Sequence, residues 1–213
     1  MRWFLGFVNA DPKYRGDHNL GWRIIRWFQG YPEHDLGKFV HVFLIFERFD
    51  ATGSYFQVFE TTDKYYNSRS LRQRSDGSAL VIFKMERDGT KAMQYAENLY
   101  QTKTPYSYVE ILGLGIVMYI EKLINTAIQP IRFFKPIKYF RFKKFKNWFN
   151  VKSMVYCVES TLDAGEKSGF ITPWMGDHQS VDCPKLYDWM VKAGYKIVLS
   201  TVGQPITKIP NGL

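Results

Sequence analysis

Four histidines and two cysteines limit the nucleophilic and metal-binding chemistry this chain can host. No Cys-x-x-Cys, His-Glu-x-x-His or glycine-rich phosphate loop occurs, so zinc and nucleotide motifs fail, and neither a metal nor a cofactor is expected. A Gly-x-Ser-x-Gly nucleophile elbow is missing as well. Attention falls on His41, Glu60 and Cys157. A carboxylate beside an imidazole fixes its tautomer and raises its basicity, and such an imidazole can activate a thiol. His18, His34 and His178 lie in polar contexts (GDHN, PEHD, GDHQ) and are expected to be solvated; His178 is the best substitute base. Cys183 precedes Pro184, has no base to pair with, and is read as structural.

The elements must bring these side chains together. Phe39 to Glu47 (FVHVFLIFE) is a nearly continuous apolar run with β-branched and aromatic residues, the pattern of a buried strand. Phe49 to Gly53 (FDATG) is a turn, and Tyr55 to Glu60 (YFQVFE) is a second strand, so the two form a hairpin. A turn centred near residues 50–51 puts His41 directly opposite Glu60, with Cβ atoms roughly 4.5–5.5 Å apart. A one-residue slip would move one of them to the other face. The ordinary alternative for His41 is a satisfied core residue.

Met154 to Ala164 (MVYCVESTLDA) reads as a short helix ended by Gly165, with Cys157 near its start. Unpaired N–H groups there stabilise a thiolate and can serve an oxyanion hole. The ordinary alternative is a buried cysteine packed as a small hydrophobe. Elsewhere, Ala79 to Met85 is a strand, and Asp88 or Thr90 caps a helix through about Gln101. Tyr108 to Ala127 has helical spacing, Pro184 to Ala193 is a helix with Gly194 at its end, and Tyr195 to Thr201 is a last strand. Residues 1–38 read as aromatic-rich and irregular, with a short helix or strand over Asn19 to Gln29. The class is α+β, an antiparallel sheet packed against helices.

Composition agrees with a folded chain. Its 213 residues are 46% hydrophobic and 17% aromatic, enough for one domain with a core, and no polar low-complexity tract suggests disorder. Two cysteines exclude a disulfide-stapled mini-domain. No apolar run approaches the roughly 20 residues of a spanning helix. The apolar stretch Trp3 to Val8 is too short for a signal-peptide core. The expectation is a soluble, cytoplasmically made chain with free thiols, membrane or virion association remaining open.

The formal charge of +9 is concentrated in one segment. Gln129 to Lys152 holds Arg132, Lys135, Lys138, Arg141, Lys143, Lys144, Lys146 and Lys152 and no acidic residue. Aromatics interleave with them in RFFKPIKYFRFKKFKNWF. The pattern suits an anionic membrane surface, a protein assembly partner or, ranked last, single-stranded nucleic acid. It also suits a solvated face whose aromatics pack on the body.

A strand carrying His (FVHVFLIFE) is followed by a strand ending in Glu (YFQVFE). A Tyr-rich turn before a helix (TPYSYVEILGLG) and a Cys-x-Glu at a helix start (YCVESTLDAG) come next. This order of features resembles the circularly permuted branch of the NlpC-like papain-fold superfamily, which includes lecithin retinol acyltransferase-like and related bacterial and phage proteins. GFITPWMGDHQSVDCPKLYDWM resembles the family's C-terminal loop and final helix. The resemblance spans Lys38 to Met190, with 129–152 as an insertion in a single domain over 1–213. It implies a nucleophile at Cys157, a base at His41 and an orienting group at Glu60. It further implies Tyr106 or Tyr108 near the site and Glu159 in its vicinity. Where the family often has Cys-Ser-Glu, this chain has Cys157-Val158-Glu159. The implied activity is that of a cysteine hydrolase (an amidase, peptidase or acyl-ester hydrolase) on peptidoglycan-like or lipid-linked substrates. The alternative is a non-catalytic structural or binding protein on the same fold, for example a phage virion or tail component.

Overall fold

The computed structural model describes residues 1–10, 24–27, 29, 39–61, 64–71, 79–132, 154–178 and 181–201. Six strands form one antiparallel sheet: β1 (Trp3–Asn9), β2 (Phe39–Asp50), β3 (Gly53–Thr61), β4 (Tyr66–Ser70), β5 (Ala79–Lys84) and β6 (Ile197–Ser200). Their order is β4-β3-β2-β1-β5-β6. Besides a short helical stretch at 24–27, inside the expected Asn19 to Gln29 element, four helices are described: α1 (Thr90–Gln101), α2 (Tyr108–Arg132), α3 (Cys157–Lys167) and α4 (Cys183–Lys192). The α+β class expected from the sequence is the observed one. Among the described residues no helix is long and apolar enough to cross a membrane.

The sheet is buried on both faces, which is why FVHVFLIFE reads as a continuous apolar run. One face carries Trp3, Leu5, Phe7, Val42, Leu44, Phe46, Phe59 and Phe83, packed with Ala92 and Ala96 of α1, Met118 of α2, Leu162 of α3 and Leu186 of α4. The other carries Phe4, Val8, Val40, Phe43, Ile45, Val58, Leu80 and Ile82. Each large apolar side chain removed from water contributes roughly 1.5–3 kcal/mol before entropy is charged.

The first 38 residues are not all irregular. Trp3–Asn9 is a fully buried strand next to the centre of the sheet. Its periodicity is hidden because both faces are covered, so no polar residue alternates. β4 likewise has no apolar alternation, since Tyr-Asn-Ser-Arg-Ser is polar and sits at the sheet edge. Gly6 on β1 leaves room for the Phe43 ring, which a Cβ there would overlap.

The hairpin and helix ends also differ from expectation in detail. β2 and β3 pair from Asp50 with Gly53 through Leu44 with Phe59, around a two-residue turn at Ala51 and Thr52. Helix α3 runs through Gly165 and ends at Ser168, with Gly169 at φ 76° as the left-handed stop. Helix α4 ends as its sequence predicts, with Gly194 at φ 80° after the Ala193 cap. Its N-cap is Asp182, whose side chain accepts from the Lys185 N–H at 2.7 Å, and Cys183 is its first helical residue. The basic segment falls mostly outside the described residues: Lys135, Lys138, Arg141, Lys143, Lys144, Lys146 and Lys152 all do, as does the side chain of Arg132.

Candidate active site

Strand β2 delivers His41 beside a bulge. Val8 pairs with His41 but the next residue of β1, Asn9, pairs with Phe39, so Val40 is the extra residue. Such bulges re-aim neighbouring side chains and are common beside functional sites. The His41 ring stacks on Phe43, at 6.2 Å between centroids, and Phe43 in turn lies on the bare backbone of Gly6. The ring is thus held from below by a packed column.

Glu60 reaches His41 from β3. Its Oε2 lies 3.0 Å from His41 Nε2, and its side chain is almost fully buried. The pair is not directly opposed, as the sequence reading had it. The observed register, continued one step past Leu44 and Phe59, sets Glu60 opposite Phe43, one diagonal step from His41. The expected turn centre was off by about one residue, which shifts the register by two and keeps both side chains on one face. The diagonal is still within reach of a long side chain. Arg69 on β4, which the sequence reading did not single out, donates from Nε to Glu60 Oε1 at 2.7 Å. Glu60 therefore bridges a guanidinium and an imidazole. The signal for Arg69 lay in strand β4, which had no apolar alternation to mark it.

Cys157 opens α3, with Tyr156 as an extended N-cap residue. The Tyr156 hydroxyl donates to the carbonyls of His178 at 2.9 Å and Val181 at 3.1 Å, which anchors the helix start to the loop before α4. On its other side, Val155 bridges Tyr106, with the Ser107 N–H donating to the Val155 carbonyl at 3.1 Å. His41 and the thiol are close enough for each to shift the other's titration.

The second cysteine is in the site rather than apart from it. Cys183 Sγ lies 4.0 Å from Cys157 Sγ, and both thiols are free and buried. No local pattern marks this pairing, which corrects the purely structural role expected for Cys183, because α3 and α4 start 26 residues apart. Both cysteines line a small cavity of about 40 Å³ together with Val40, Tyr106, Met118 and Asp182. A wider open cleft near Met1 and Lys84 lies toward the opposite end of β1 and holds neither cysteine.

The electrostatics follow from this packing. Burial opposes the imidazolium at His41, but hydrogen bonds and charge from Cys157 and Glu60 outweigh it, and its pKa is raised to about 9. The Cys157 thiol is lowered well below its ordinary value, by hydrogen bonding from Cys183 and, against burial, by His41. Burial and the neighbouring Cys157 push Cys183 up.

The remaining candidates separate. Tyr106 lines the cavity, whereas the side chain of Tyr108 lies outside the described residues. Glu159 is buried in the first turn of α3 and is not part of the cavity wall. His178 is not solvated as expected: it is 6% exposed, with Nδ1 against Asp163 and Nε2 3.2 Å from Glu166. Both ring nitrogens are engaged by the far end of α3, so it clamps the loop before α4 to that helix. His18 and His34 fall outside the described residues. Among the described residues no group of three His, Cys, Asp or Glu side chains is placed to hold a metal ion. A scan against protein-family models finds no match, and searches of the curated proteins and of the solved structures find none either.

Proposed function

We propose that the protein is a cysteine hydrolase acting through Cys157, His41 and Glu60. The observation that carries this reading is the bond from Glu60 to His41 at 3.0 Å, beside a Cys157 thiol whose pKa is lowered by Cys183 and His41. This is the nucleophile, base and orienting-group arrangement that thiol hydrolysis needs.

In this mechanism the Cys157 thiolate attacks an amide or ester carbonyl, forming a carbon–sulfur bond. N–H groups in the first turn of α3, which have no partner within the helix, hold the oxyanion. The His41 imidazolium gives its proton to the leaving amine or alcohol, and a thioester remains. His41 then takes a proton from water, whose oxygen attacks the thioester and releases the acid. Glu60 keeps Nε2 of His41 occupied, and Arg69 holds Glu60. Peptidoglycan-like peptides and lipid-linked acyl groups are the substrate classes to screen.

A second reading, a structural or binding protein on this fold, has one observation in its favour. Helix α2 exposes Ile116, Tyr119, Ile120 and Leu123 at one-face spacing, close to Trp27, which stacks on Tyr119 at 5.5 Å. A virion component or a membrane-surface protein would use such a ridge.

Iodoacetamide alkylation of Cys157 against pH, read by peptide mass spectrometry, separates the two. Rapid modification below about pH 7, lost in His41→Ala, fits the hydrolase, because an ordinary thiol has a pKa of about 8.5. An ordinary profile, with a denatured control to exclude simple burial, sinks it.

A further inference from the structure

We infer that Cys157 and Cys183 form a reversible disulfide, so that the site carries a redox switch on its own nucleophile. The regulatory consequence rests on the reading of Cys157 as that nucleophile; the cross-link itself does not.

The geometry is that of a poised dithiol. The sulfur atoms are 4.0 Å apart, and each belongs to the first residue of a helix, α3 or α4. A disulfide needs about 2.05 Å between sulfurs. Side-chain rotation of two facing residues can cover much of that difference, with the two helix starts taking up the rest. Both cysteines line one cavity, which gives a small oxidant a common point of entry to two otherwise buried residues. A thiolate with a second thiol beside it is the arrangement by which redox-sensing cysteines escape over-oxidation.

The chemistry balances with a hydroperoxide as oxidant. The Cys157 thiolate attacks one peroxide oxygen; a sulfur–oxygen bond forms and the oxygen–oxygen bond breaks. The departing hydroxide takes the proton of the His41 imidazolium and leaves as water. Cys183 then attacks the sulfenic sulfur. A sulfur–sulfur bond forms, the sulfur–oxygen bond breaks, and the second hydroxide leaves as water with the Cys183 proton. Two thiols lose two electrons and one hydrogen peroxide becomes two waters. An external dithiol reverses the step by thiol–disulfide exchange. While the bond stands, Cys157 has no lone thiolate and the site is silent; α3 and α4 are also tied at their first turns.

The test uses the full chain, reduced and then titrated with hydrogen peroxide, denatured under alkylating quench and mapped without reduction. The expected result is a Cys157–Cys183 cross-linked peptide pair at monomer mass. Alkylation of the two cysteines is lost in parallel, and both recover together with dithiothreitol. Sulfinic or sulfonic acid at Cys157 with Cys183 still free overturns the inference, as does a wild type in which neither cysteine changes. Cys183→Ser, checked for fold by circular dichroism, is expected to lose Cys157 alkylation irreversibly under the same titration; recovery equal to wild type overturns it too. If that variant does not fold, the wild-type map decides. The alkylation profile of the reduced protein keeps the two readings apart. An ordinary thiol profile together with the cross-link removes the hydrolase and leaves the dithiol. An activated profile without the cross-link does the reverse.

Discussion

Glu60 meets His41 across a diagonal of the β2–β3 ladder, Oε2 to Nε2 at 3.0 Å, while its other oxygen takes the Arg69 guanidinium. The carboxylate thus has two cationic partners to serve, and its hold on His41 depends on which strand positions face it. Glu60→Gln keeps the shape and removes the charge. The expected result is a fall in the His41 pKa and slower alkylation of Cys157 near pH 6.5, on the order of tenfold, with the fold retained. An unchanged alkylation profile would show that Glu60 serves Arg69 alone.

Loss of the nucleophile or the base should be far more severe. Cys157→Ala is expected to abolish turnover of any acyl substrate the protein is found to hydrolyse, and His41→Ala to reduce it about 10²–10⁴-fold, the range of a positioned general base. Turnover retained by folded Cys157→Ala would refute thiol catalysis.

Stability should fall on the alkaline side because of His41. Its folded pKa is raised, so the stabilisation it contributes is fully present below its unfolded value of about 6.5 and is lost as pH rises through about 9. The lowered Cys157 thiol carries the opposite slope, so the two cancel between about pH 6.5 and 8.5, and the net loss is expected only as pH rises past about 8.5, read as a lower denaturant midpoint. His41→Ala should flatten that part of the profile; a variant that keeps the full slope would assign it to another group.

The column Gly6–Phe43–His41 makes a prediction far from the thiol. A methyl at residue 6 would overlap the Phe43 ring. Gly6→Ala is therefore expected to cost about 1–3 kcal/mol by overpacking and to disturb the His41 ring stacked on Phe43. Thermal unfolding reads the first effect and the Cys157 alkylation rate the second. A neutral Gly6→Ala would mean that Phe43 moves freely.

Asp182 caps α4 one residue before Cys183, through the Lys185 N–H at 2.7 Å. Asp182→Ala should destabilise by about 1 kcal/mol, the usual cost of a lost N-cap, while Asp182→Asn should recover most of it. Equal midpoints for all three proteins in urea would remove the cap from the account.

What the sequence by itself determined was local. The apolar run over Phe39–Glu47, the turn residues near 50, the Pro184 start and Gly194 stop of α4, and the placement of Cys157 at a helix start all follow from short-range rules of burial, turn chemistry and capping. Even the register error between β2 and β3 kept His41 and Glu60 on one face, because side chains repeat every two residues and the error was two. Only the tertiary structure decided the long-range relations. Trp3–Asn9 takes its place between β2 and β5 because an apolar strand buried on both faces has no alternation to announce it. The bulge at Val40 arises from pairing with β1, some thirty residues away in sequence, and no local signal at Val40 demands it. Cys183 faces Cys157, and His178 lies between Asp163 and Glu166, because α3, its following loop and α4 pack together on the sheet. Such contacts are fixed by how separately predictable elements bury their apolar faces against one another, a quantity no window of the sequence contains.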